Sequence, residues 1–112
     1  MTTYTAGVGE VTDADFAAEV LGSELPVLVQ FTAEWCGPCR QLKPVLAAIA
    51  AEEAGRLRIV EIDVDRNPET TLRYGVLATP TTLVFRAGEP VRSLVGARPK
   101  RRLLAELEDV LA

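Results

Sequence analysis

Two periods of apolar spacing alternate along this chain, one near 3.6 residues and one near 2, and together they predict an α/β protein. Phe16, Val20 and Leu21 recur at helical spacing after Thr12-Asp13-Ala14-Asp15 and before Gly22. This predicts a short helix over 13–21, capped by Thr12 or Asp13. Val27-Leu28-Val29-Gln30-Phe31 follows Pro26 as an almost unbroken apolar, β-branched run, the mark of a central strand covered on both faces. From Cys36 to about Glu53, Leu42, Val45, Leu46, Ile49 and Ala50 return at helical spacing, while Pro44 removes one backbone hydrogen bond and should bend the axis. Leu57 to Val64 sets charged residues among Ile59, Val60 and Ile62 and reads as a strand. Asn67-Pro68 then opens a short helix that closes at Tyr74-Gly75. Thr81 to Phe85 and Val91 to Val95 flank the hairpin signal Ala87-Gly88-Glu89, and Leu103, Leu104, Leu107 and Leu111 stripe a last helix. The expected result is a small mixed sheet with helices on both sides, and with reactive groups at the carboxyl end of a central strand.

Composition narrows the function classes. A chain of 112 residues that is 48% hydrophobic can bury one real core and is short for two, so a single domain over 1–112 is expected. The net charge of −4 gives no global basic surface, so neither nucleic acid nor an anionic membrane is an expected partner, whereas soluble proteins are. Met1 to Glu10 lacks a basic stretch followed by an apolar one, and nothing approaches the roughly 18 apolar residues of a membrane span, so a cytoplasmic location is expected. A monomer is the expected state. Internal repeats and low-complexity tracts are absent from the sequence.

The chemistry lies in Trp35-Cys36-Gly37-Pro38-Cys39, directly after the central strand. Its two sulfurs are the only cysteines and stand three residues apart, a spacing that puts both on one face of a helix's first turn and lets them close a disulfide on each other. A helix beginning there aims unpaired N–H groups and its positive dipole end at Cys36, favouring the thiolate by roughly 0.3 to 2 kcal/mol. Cys36 is therefore the expected nucleophile and Cys39 the resolving thiol. A zinc site reads C-x-x-C as well, but with no histidine and no third cysteine a monomer cannot close a tetrahedral set, and no metal is expected. A purely structural bridge over so short a loop would remove little chain entropy.

Phe31-Thr32-Ala33-Glu34-Trp35-Cys36-Gly37-Pro38-Cys39, Pro44, Asp63-Val64-Asp65 with Asn67-Pro68, Tyr74-Gly75-Val76, Thr79-Pro80-Thr81 and Val95-Gly96-Ala97 together resemble the thioredoxin family over nearly the whole chain. The resemblance implies a thioredoxin fold, a five-stranded mixed sheet flanked by four helices, and a general protein disulfide reductase acting on disulfide-containing proteins. It implies that no cofactor binds the chain itself. Reducing equivalents would come from NADPH through a flavin-dependent thioredoxin reductase. It also makes Pro80 a cis-proline facing the dithiol, with the backbone of Thr79 offered to a substrate chain. Trp35 becomes a docking surface, Gly37 and Pro38 leave approach to the sulfurs open, and Gly96 with Ala97 lets a partner's backbone come close.

Three departures from the family pattern stand out. Gln30 occupies the place of a usual buried Asp, Glu61 that of a usual Lys on the neighbouring strand, and Thr32 that of a frequent Trp. An amide cannot accept the proton of a resolving thiol near neutral pH, so Glu61, if it lies beside Gln30, is the candidate acceptor serving Cys39. The alternative is a Glu61 bent to solvent with water handling the proton. Arg98, Lys100, Arg101 and Arg102 form the single basic cluster and are candidates for steering an acidic partner. The competing functional class is a thioredoxin-like binding subunit or holdase with slow redox activity.

Overall fold

The computed structural model describes residues 4–5 and 7–111, so the extreme ends of the expected 1–112 domain and part of the Met1–Glu10 segment lie outside the described residues. Strands β1 (Tyr4–Thr5), β2 (Val8–Glu10), β3 (Val27–Thr32), β4 (Arg58–Asp63), β5 (Thr81–Arg86) and β6 (Glu89–Val95) form one mixed sheet in the order β1-β2-β4-β3-β5-β6. The expected five strands are β2 to β6, and the two residues of β1 add an antiparallel edge to β2. β3 lies parallel to β4 and antiparallel to β5, so it is central, as its unbroken apolar run requires. Four helical segments pack on the sheet: a wide π-helical turn at Ala17–Leu21, then α1 (Gly37–Glu52), α2 (Pro68–Arg73) and α3 (Lys100–Leu111). Among the described residues no helix is long and apolar enough to cross a membrane.

The period-2 alternation of β3 divides the core. Leu28 joins Ile59, Val84, Leu42, Leu46, Ile49, Leu103 and Leu107 under α1 and α3. Val27, Val29 and Phe31 join Val60, Ile62, Phe16, Val20 and Phe85 on the opposite face. There Phe16, Tyr74 and Phe85 meet with ring centroids 5.2 to 5.6 Å apart, pinning the π-helical turn and α2 to β5. Hairpin β5–β6 turns through Ala87 and Gly88, both at positive φ, which is the backbone the expected Ala-Gly signal supplies. At the end of α2, Gly75 sits at φ +64, so that its N–H reaches the Leu72 carbonyl and the Val76 N–H reaches Thr71, closing the helix.

Two expectations are corrected. The first helix is not a regular coil over 13–21: hydrogen bonds from Phe16 to Thr12 and from Glu19 to Asp15 span four residues, then the Gly22 N–H reaches Ala17 across five. Nor does Asp13 cap it. The Asp13 carboxylate instead accepts the backbone N–H groups of Glu69 and Thr70, capping α2 from across the sequence, while Asp15 accepts from the Thr12 N–H. Asn67, the residue before α2, is occupied otherwise: its side chain donates to the Asp63 carbonyl and accepts from the Asp13 N–H. Partial desolvation alone would raise the pKa of Asp13, but the hydrogen bonds from Thr70 and Glu69 outweigh it and hold it below 3.8. A carboxylate depressed in the folded state stabilises above its unfolded value, and that contribution disappears as pH falls through the lower folded value. Asp13→Ala should therefore cost about 1 kcal/mol at neutral pH, and the gap from wild type should close on acidification below 3.8. Urea titrations at both pH values check this; a gap that does not narrow in acid would show that the charge is not responsible.

Candidate dithiol site

β3 ends at Thr32, and a turn in which the Cys36 N–H donates to the Ala33 carbonyl swings the chain into α1. Cys36 caps that helix: its backbone is extended at φ −88 and ψ 106, and its sulfur accepts the Cys39 N–H at 3.2 Å. A sulfur thus takes the role that Ser or Asp commonly plays, so negative charge developing on it meets an amide already aimed at it. Pro38 falls in the first turn, where its missing N–H costs nothing. Cys36 and Cys39 form a disulfide with Cα atoms 5.3 Å apart, and both are buried against Ala33. Gly37 is half-buried and Pro38 exposed, and a Cβ placed on Gly37 would meet nothing closer than 4.0 Å. Among the described residues, no cluster of three or more His, Cys, Asp or Glu is arranged to hold a metal.

Trp35 lies on the surface, 67% exposed, with its indole N–H held by Asp65 at 2.8 Å. Thr79-Pro80 is cis, as the resemblance implied, with Pro80 buried and Thr79 half-buried. Gly96, at φ +92, donates its N–H to the Pro80 carbonyl at 2.8 Å, and space around its Cα is open. Ala97 beside it is exposed. Two exposed apolar residues that sequence reasoning passed over flank these segments: Leu77, two residues before Thr79, and Val95, paired in register with Thr81. In the sequence Val95 reads as the last member of a strand and part of Val95-Gly96-Ala97, with no docking role of its own. Its signal was that it immediately precedes Gly96.

Gln30 is fully buried and stands in register with Glu61 on β4 and Thr82 on β5. Its Oε1 accepts from the Thr82 hydroxyl at 2.8 Å. Glu61 does not swing fully to solvent: its side chain is 17% exposed and pairs with Lys43 of α1 at 3.3 Å. Thr32, also half-buried, lines a cleft of about 300 Å³ with Ala33, Lys43 and Glu61. The basic cluster is partly committed internally. Arg98 donates to the Val95 carbonyl and Lys100 pairs with Glu52, while Arg101 and Arg102 remain exposed.

This arrangement suits a thiol pair that exchanges with other disulfides, and comparison with known proteins agrees. The Thioredoxin family model matches residues 7–109. The thioredoxin of Mycobacterium bovis (strain ATCC BAA-935 / AF2122/97) is 51% identical over 102 residues, covering 91% of this chain and 88% of its own length. That of Streptomyces clavuligerus is 54% identical over 94 residues, covering 84% of this chain and 87% of its own. The bifunctional thioredoxin reductase/thioredoxin of Mycobacterium leprae (strain TN) is 49% identical over 102 residues, covering 91% of this chain and 22% of that longer protein.

Proposed function

The chain belongs to the thioredoxin family and is a thiol–disulfide oxidoreductase, and on that premise we propose that it is a general protein disulfide reductase, one domain over 1–112. The observation that carries the proposal is the Cys36 sulfur at the start of α1, already accepting an amide N–H and bonded to the one other cysteine. Cys36 thiolate attacks a substrate sulfur, forming a mixed disulfide and expelling the second substrate sulfur as thiolate. Cys39 then attacks Cys36, which releases the reduced substrate and restores the Cys36–Cys39 bond. Glu61 takes the proton that Cys39 gives up.

In this reading Trp35, Gly37, Pro38, Thr79, Pro80, Gly96 and Ala97 form the substrate surface. Exposed Trp35, Leu77 and Val95 offer apolar contact, and the backbone around Thr79 offers hydrogen bonds that ignore substrate side chains. The protein works as a cytoplasmic monomer with no cofactor of its own. A flavin thioredoxin reductase returns it to the dithiol with electrons from NADPH. The M. leprae relative, whose name joins reductase and thioredoxin in one chain, supports such a partner. The test is insulin-disulfide reduction with NADPH and a flavin thioredoxin reductase present: NADPH consumption should depend on both proteins. A chain that binds unfolded protein yet reduces no disulfide would be a holdase, and the reading would fail.

A further inference from the structure

Two buried polar atoms side by side in the sheet lack a hydrogen-bond partner among the described residues, Gln30 Nε2 and Glu61 Oε2. Their residues pair in register across β3 and β4 and point to the same face, the one covered by α1. One atom is a donor and the other an acceptor. Native interiors seldom leave such groups unsatisfied, and one water between an amide and a carboxylate satisfies both. The Gln30 oxygen is already engaged by Thr82 on the β5 side, which leaves its NH2 for the β4 side, where Glu61 stands.

The other Glu61 oxygen, Oε1, is held by Lys43 Nζ. Lys43 lies four residues beyond Cys39 on α1, one turn along the same face. Ala33, which packs against both cysteines, lines the cleft that Lys43 and Glu61 share. The remaining charged groups facing the cleft are Glu10 of β2, the register partner of Glu61 on its far side, with Asp63, Glu34, Arg40 and Arg66. Both arginines serve Glu34, Arg66 through its carboxylate and Arg40 through its carbonyl, and Asp63 accepts the N–H groups of Asp65 and Arg66. Lys43 is the cation paired with Glu61.

We infer that Lys43 is a positioning residue for the resolving step, anchoring one oxygen of Glu61 so that the other stays turned inward beside Gln30, where a bridging water carries the Cys39 proton to it. The inference rests on the reading of Glu61 as proton acceptor. In the step, the Cys39 thiol gives its proton through the water to the Glu61 carboxylate. The Cys39 sulfur bonds to Cys36 as the Cys36–substrate bond breaks, and the departing substrate thiolate is reprotonated from solvent or from Glu61. Without the ammonium, the carboxylate has nothing to oppose its rotation outward to water.

The experiment mixes the reduced protein rapidly with excess disulfide substrate in a single turnover and follows the rise and decay of the mixed disulfide from about pH 5 to 9 in wild type, Lys43→Met, Lys43→Arg, Glu61→Gln and the double variant Lys43→Met/Glu61→Gln. Lys43 is more than half exposed, so its substitution leaves the fold intact. Lys43→Met and Glu61→Gln should each slow decay roughly tenfold near neutral pH, below the usual ~10² to 10⁴ of a general base because a thiol ionises appreciably unaided, and the deficit should shrink toward pH 9 as Cys39 ionises without help. Lys43→Arg should retain the wild-type profile, and the double variant should be no slower than either single one. Glu61→Gln slow with Lys43→Met like wild type, or losses that multiply in the double variant, would overturn the role of Lys43. A Glu61→Gln profile matching wild type throughout would instead remove the acceptor itself.

Discussion

Cys39→Ser is expected to turn the protein from a catalyst into a trap. Cys36 keeps its place at the start of α1 and its sulfur still attacks a substrate disulfide, but the group that resolves the adduct is gone. In wild type that group sits on the same helical turn, with Cα atoms 5.3 Å apart. Well-oriented intramolecular partners reach effective concentrations on the order of 10⁵ M or more, far beyond any external thiol. Turnover should therefore fall by at least ~10³-fold while a mixed disulfide accumulates, visible on a non-reducing gel and abolished by dithiothreitol. Cys36→Ser should lose turnover equally and give no adduct. If the adduct formed through Cys39 instead, or if Cys39→Ser turned over like wild type, the assignment of nucleophile and resolving thiol would be reversed or wrong.

The largest effect on stability is expected from Phe85→Ala. Phe85 is 1% exposed on central-sheet strand β5, and its ring meets Phe16 before the π-helical turn and Tyr74 at the end of α2, both edge-on. Removing it leaves a cavity under two elements at once, neither of which is long enough to hold itself: one is five residues and the other six. A buried Phe→Ala change costs about 3 to 5 kcal/mol, a large part of the roughly 5 to 15 that a domain has. At ~2 kcal/mol per molar, the urea midpoint should drop by about 2 M. Phe85 pairs with Val27 at the start of β3, whereas the dithiol follows its end, so the folded variant should still reduce insulin. A loss under about 1 kcal/mol would mean that the aromatic group does not tie these segments down.

How much of this could be read in advance depended on whether a residue's partners were near it in sequence. Val27 to Phe31 announced a central strand because burial on both faces leaves no polar position to break the run, and the structure divides its alternate residues between two cores. The Cys-Gly-Pro-Cys motif sits in a single turn, so its chemistry was local and visible. Asp13 misled because a carboxylate before an apolar stripe caps its own helix in most contexts, whereas here it bonds to residues 56 and 57 positions away. β2 escaped notice because three residues, one of them Gly9, carry too little pattern; the resemblance, not the periodicity, supplied the fifth strand. The neighbourhood of Gln30 and Glu61 likewise came from the family, and the register bears it out. Lys43 was missed altogether: its spacing from Cys39 says which face it shares, but only the packing of α1 on β4 shows what carboxylate it meets.

The central place of β3 also bears on how the protein is made. Its two neighbours, β4 and β5, come from residues 58–63 and 81–86, both later in the chain. A growing polypeptide that has just exposed its cysteines has neither flank of the strand that aims them, and the helix that follows has no surface to lie against. The reactive pair is therefore assembled only after some fifty further residues have left the ribosome, counting from Cys36 to Arg86. A truncated product that ends before β5 carries both thiols beside a strand that still lacks its partner on one side.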